Sequence, residues 1–163
     1  MKTLSFIRSG LVAGLLMTSA GTLIAQHSSG SVPEKRFGLG FMVGEPIGVN
    51  AKYWLSENSA IDGFVGLSWQ DNDDFTTHVD YLYHLNDLFS IENESFTVYF
   101  GGGPRYKVRD QGDDIFGLRT VGGVSYMLKD APVDLFAEAG PVFDLTPDFE
   151  VRYTVAIGAR FWF

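Results

Sequence analysis

The chain contains no cysteine. Disulfides, thiol nucleophiles, thiolate metal sites and lipid attachment through a cysteine are therefore excluded. Basic residues are also scarce: 12 Lys and Arg stand against 20 Asp and Glu, a net charge of −8. Nucleic-acid binding needs clustered Lys and Arg, so it is not expected. The longest apolar stretch, Leu11 to Ala25, has 15 residues, too short for an ordinary membrane-spanning helix. No segment repeats its apolar residues with a helical period.

That short apolar stretch follows Lys2 and Arg8, which is the order of an export signal. Residues 1–25 are expected to be a signal peptide, cut after Ala20 or Ala25; an uncleaved anchor helix is the alternative. The segment carries two positive charges and no acid, so its removal takes the net charge from −8 to −10. Residues 26–35, "QHSSGSVPEK", are polar and read as a flexible lead.

From residue 36 to 163 the pattern has a period of two. Eight alternating runs are expected at about 37–43, 47–55, 61–69, 77–85, 96–106, 116–128, 133–141 and 151–163. The links between them, "GEP", "SENS", "QDNDDF", "NDLFSIENES", "KVRDQGDD", "KDAP" and "DLTPDFE", are rich in turn residues and short enough for neighbours to pair antiparallel. An up-and-down sheet of eight strands can close on itself, so an all-β, eight-stranded antiparallel barrel is the expected fold.

The two faces of these strands differ. One holds Phe, Tyr, Trp, Leu, Ile and Val and no charge. The other holds Lys52, Asp62, His78, Asp80, Arg105, Arg119, Asp134, Glu138, Arg152 and Arg160, together with His84 and many glycines. A lumen of eight strands is just wide enough to be filled by side chains. Bulky apolar residues on the outside and long ions beside glycine on the inside fit that volume. The reverse fits a soluble lipocalin-like carrier, a third reading that extraction without detergent distinguishes. Lys or Arg facing lipid at the bilayer midplane costs roughly 2–4 kcal/mol, which explains an uncharged outer face. Tyr53, Trp69, Tyr83, Tyr106, Tyr126 and Tyr153 near run ends are expected to form two interfacial girdles.

The chain ends in "AIGARFWF". Gly158, Phe161 and Phe163 resemble the C-terminal insertion signal of bacterial outer membrane barrels, with Ala156 at a position where that signal has a polar residue. The span from Phe37 to Phe163 resembles the small eight-stranded outer membrane proteins of the outer membrane protein A or X kind. The resemblance implies a monomer in the bacterial outer membrane, inserted by the barrel assembly machinery, in contact with outer membrane lipid and lipopolysaccharide. It places both termini in the periplasm and "GEP", "QDNDDF", "KVRDQGDD" and "DLTPDFE" outside the cell. No peptidoglycan-binding domain is expected after the barrel.

The charged face is read as a salt-bridged plug of the lumen, with a gated small-ion path as the alternative; an open porin-like channel is not expected from eight strands. No catalytic residue, metal site or cofactor is assigned. His78 and His84 share a face with Asp80, but six residues at ~3.3 Å each part the histidines by about 20 Å. A lipid-modifying enzyme at the rim is the runner-up function. The acids Asp71, Asp73, Asp74, Asp110, Asp113 and Asp114, joined by Asp144, Asp148 and Glu150, read as solvated loop tips. A sharper reading has divalent cations bridging them to lipopolysaccharide phosphates. "FGGGPRY" lacks the Lys-Ser/Thr and the helix of a phosphate loop.

Overall fold

The structure, a computed structural model, describes residues 34–68, 74–91, 94–109 and 112–163, with the backbone alone for 86–91 and 94–95. The expected signal peptide, most of the lead, Trp69, Asp71, Asp73 and Asp110 lie outside the described residues.

Eight strands follow in chain order: β1 (Phe37–Gly44), β2 (Ile47–Trp54), β3 (Ser59–Ser68), β4 (Asp74–Ile91), β5 (Glu94–Val108), β6 (Ile115–Met127), β7 (Val133–Asp144) and β8 (Glu150–Trp162). Each pairs antiparallel with the next, and β8 returns to β1 in a register running from Gly38↔Trp162 to Gly44↔Ala156. The sheet is a closed barrel. Closure leaves no row of unpaired backbone groups along an edge. Both ends of the barrel chain, Phe37 and Trp162, lie at one end of the barrel, with the β2–β3, β4–β5 and β6–β7 turns. This is the terminal end. The other four connections make the loop end.

Side chains alternate across the sheet. Outward positions are apolar and open: Phe41 is 70 % exposed, Val79 51 %, Tyr81 54 % and Ile157 61 %. Inward positions are ionic and closed to water: Lys52, Asp80 and Arg160 are each 1 % exposed. The arrangement is that of a soluble protein turned inside out. Two apolar clusters share the lumen with the ions, Met42–Phe64–Phe136–Ala156 and Leu82–Tyr99–Val121. Among the aromatics expected at run ends, Tyr53, Tyr83 and Tyr126 stand towards the terminal end, and Tyr106 and Tyr153 towards the loop end.

Six expected links lose residues to the strands, two of them a single residue, Gly44 to β1 and Ser59 to β3. β4 runs on to Ile91 and β5 begins at Glu94, so most of "NDLFSIENES" is strand. The β4–β5 register shifts between Leu85 and Phe89, which interrupts the alternation there. At the loop end, Asp74 and Phe75 belong to β4, Lys107 and Val108 to β5, Asp144 to β7 and Glu150 to β8. These acids therefore do not all sit at loop tips. Asp74 and Asp144 are buried, at 5 % and 2 % exposure.

Candidate functional site

Among the described residues, the lumen concentrates the buried charge. Its buried ions are five cations, Lys52, Arg105, Lys107, Arg119 and Arg160, and six carboxylates, Asp62, Asp74, Asp80, Asp134, Glu138 and Asp144. Arg152 stands partly exposed at the loop-end mouth and brings the cations to six. An isolated ion in such surroundings is heavily penalised unless paired and hydrogen-bonded. The equal numbers allow pairing throughout.

Towards the terminal end, Arg160 on β8 is the hub. It donates to both oxygens of Asp134 on β7, at 3.1 and 2.9 Å. It donates to Asp62 on β3 at 2.6 Å and to the Asn50 side-chain carbonyl on β2 at 3.1 Å. Asn50 in turn donates to Asp62. The guanidinium lies 4.0 Å from the centre of the Phe136 ring, a cation–π contact in a desolvated setting. Gly158, two residues before the hub, faces that ring, and a Cβ there would overlap it.

Lys52 sits beside this hub. Its ammonium is 2.7 Å from His84 Nε2 and 4.9 Å from the centres of the Trp54 and Tyr99 rings. Trp54 packs against His84 at 4.3 Å and Trp162 at 6.1 Å. These aromatic rings form the floor of the lumen.

Midway, Arg119 on β6 joins Asp80 on β4 to Glu138 on β7. The Tyr99 hydroxyl donates to the other oxygen of Glu138 at 3.1 Å. Gly123 leaves the space that the Tyr99 ring fills. His78 is stacked on Phe64 at 5.0 Å, with Nε2 3.7 Å from Asp80. Towards the loop end, Arg105 donates to Asp144 at 3.1 Å, and Arg152 approaches the second Asp144 oxygen at 3.2 Å. Lys107 lies 3.6 Å from Asp74 and 3.4 Å from the Ser68 hydroxyl. Above them a polar vestibule of about 450 Å³ opens between Glu45, Ser68, Arg105, Glu150, Arg152 and Thr154.

All ten expected lumen residues thus face inward, nine of them buried and Arg152 at the mouth. His78 and His84 are kept apart, one facing Asp80 and the other Lys52. Lys107, Asp74 and Asp144 belong to the network but were expected in links. Carrying the alternation of the fourth, fifth and seventh runs one to three residues further puts all three inside. Asp113 and Asp114 stay at the loop end, exposed, and the Tyr106 hydroxyl donates to Asp114 at 2.6 Å. At the C-terminus, Phe161 and Phe163 face outward, 44 % and 62 % exposed, with ring centres 5.0 Å apart.

No protein-family model and no curated protein matches the chain. Among solved structures, the N-terminal β-barrel domain of Pseudomonas aeruginosa OprF is similar to it, with a TM-score of 0.64 and 14 % identity over 79 % of this chain and 98 % of that one. The likeness is one of fold: this chain is a closed, eight-stranded, all-antiparallel β-barrel, as that domain is.

Proposed function

We propose that this chain is an integral barrel of the bacterial outer membrane, with a structural or interaction role in the envelope and a lumen plugged by its charge network. The observation that carries the reading is the inverted polarity of the wall. An outer surface presenting Phe41, Val79, Tyr81 and Ile157 is poorly suited to water. In hydrocarbon the same surface is favourable, and a closed sheet meets the need to satisfy every backbone group. Export by a signal at 1–25 and a short lead at 26–35 complete the reading. Gly158, Phe161 and Phe163 on the closing strand would be read by the assembly machinery. The partners are outer membrane lipid and lipopolysaccharide, the latter's phosphates bridged through divalent cations to the acids Asp113, Asp114 and Asp148 at the loop end. The working form is a monomer without a catalytic residue.

Conductance across a planar bilayer tests the plug. The refolded wild-type barrel should leave the membrane as insulating as a protein-free one. An Arg119→Ala/Arg160→Ala double variant removes the two hubs and should raise conductance several-fold. A steady wild-type current would replace the plug with a small-ion pore.

A further inference from the structure

A second cavity lies beneath the aromatic floor, outside the charge network. It is an open cleft of about 520 Å³ at the terminal end, walled by Trp54 and Trp162 on one side and by Met127 at the end of β6 and the β6–β7 turn, Leu128 to Pro132, on the other. Its volume falls within the range of small-molecule sites, which combine a mainly apolar lining with a few placed polar groups. Here the lining is two indoles, Met127, Leu128, Ala131 and Pro132, and the charged groups are Lys35, Lys129 and Asp130. The cleft therefore carries a net positive charge over an apolar wall.

Two further observations bear on what fits. Lys35 Nζ lies 3.4 Å from the Trp162 carbonyl and 5.9 Å from the Phe161 ring, so its ammonium is held at the edge of the cleft. Trp162 is 3 % exposed, and its indole Nε1–H has no hydrogen-bond partner among the described residues. A buried donor left unpaired is unfavourable, and no hydrogen bond fixes the ring in its present orientation. An acceptor entering the cleft, with a small turn of the ring, would correct this.

We infer that the cleft binds an anionic amphiphile, a single alkyl chain ending in a carboxylate. The chain lies along Trp54, Met127 and Leu128, and the carboxylate meets Lys35 and Lys129 at the edge, one of its oxygens accepting from the Trp162 indole N–H. Charge complementarity excludes a cationic amphiphile and sets the carboxylate above an alcohol of equal length. Burial of the alkyl chain supplies non-directional attraction, and the lysines supply the selectivity.

The test is calorimetric titration of decanoate into the full barrel in lipid nanodiscs, with empty nanodiscs as the blank. Saturable binding near one per barrel is expected. Lys35→Ala/Lys129→Ala, which alters only surface positions, should weaken it at least tenfold. Trp162→Phe keeps the ring and loses the donor, and should weaken it a few-fold. Decanol should bind at least tenfold more weakly than decanoate. Binding no greater than to empty nanodiscs overturns the proposal, as does decanoate binding that the lysine variant leaves unchanged or that decanol equals. Because the titration does not depend on conductance, it can fail while the plugged-barrel reading stands.

Discussion

Replacing Arg160 with alanine should lower the unfolding free energy of the barrel by about 3–5 kcal/mol, the cost of breaking a buried ion pair from one side. The reason lies in what remains. Asp62 and Asp134 are 4 % and 3 % exposed, and both lose their principal cation together. Asn50 also loses the donor to its side-chain carbonyl. The loss should be greater than for Arg152→Ala, whose side chain is about one-third exposed and whose partner Asp144 keeps Arg105. A triple variant, Arg160→Met/Asp62→Asn/Asp134→Asn, should recover most of the stability, because a buried pair and its neutral replacement are often close in energy. Urea unfolding in lipid vesicles, followed by tryptophan fluorescence, measures all three. An Arg160→Ala barrel as stable as the parent would mean that the hub carries no stabilising role.

The second large effect concerns the outer wall. Val79 neighbours Asp80 on β4, midway along the barrel, and is 51 % exposed. An exposed valine in a water-soluble barrel tolerates Arg at a cost within about 0.5 kcal/mol. Facing lipid near the midplane, Val79→Arg should cost about 2–4 kcal/mol, and the same change at Val108, the last residue of β5, only about 0–1 kcal/mol. The depth dependence is the signature of a bilayer. Equal and small effects at both positions would contradict membrane residence.

Much of this was legible in the sequence because a wall with lipid on one side and ions on the other writes its two faces as strict alternation. The phase of each run placed Arg119 and Glu138 inside and Tyr81 and Ile157 outside. The run ends were less legible. Near the mouths Asp74, Lys107 and Asp144 sit among loop-like acids, glycine and proline, and composition points to a link where the backbone still pairs. Between Leu85 and Phe89 the shifted register breaks the period itself. Pairing between strands that are not neighbours was not legible. Arg105 meets Asp144 two strands away, Arg119 reaches Asp80 two strands back, and Arg160 crosses to Asp62 three strands around the closed sheet. Such contacts depend on how registers add up around the barrel, which neighbouring runs do not reveal. The terminal-end cleft was missed for the same reason: it joins Lys35, Trp54, Lys129 and Trp162 only once β8 has closed on β1.

The central claim is that apolar side chains face lipid and ionic ones fill the bore. The absence of cysteine makes a direct measurement simple, since a single introduced cysteine is the only labelling site. Nitroxide labels at Val155, Ala156 and Ile157 on β8, and at Tyr81, Leu82 and Tyr83 on β4, are read in lipid vesicles by collision with oxygen and with a water-soluble nickel chelate. Labels at 155, 157, 81 and 83 should collide with oxygen and escape nickel, and those at 156 and 82 should be shielded from both. Oxygen contact at 156 and 82 with protection at their neighbours, or a chain that stays in the aqueous phase without detergent, would contradict the account.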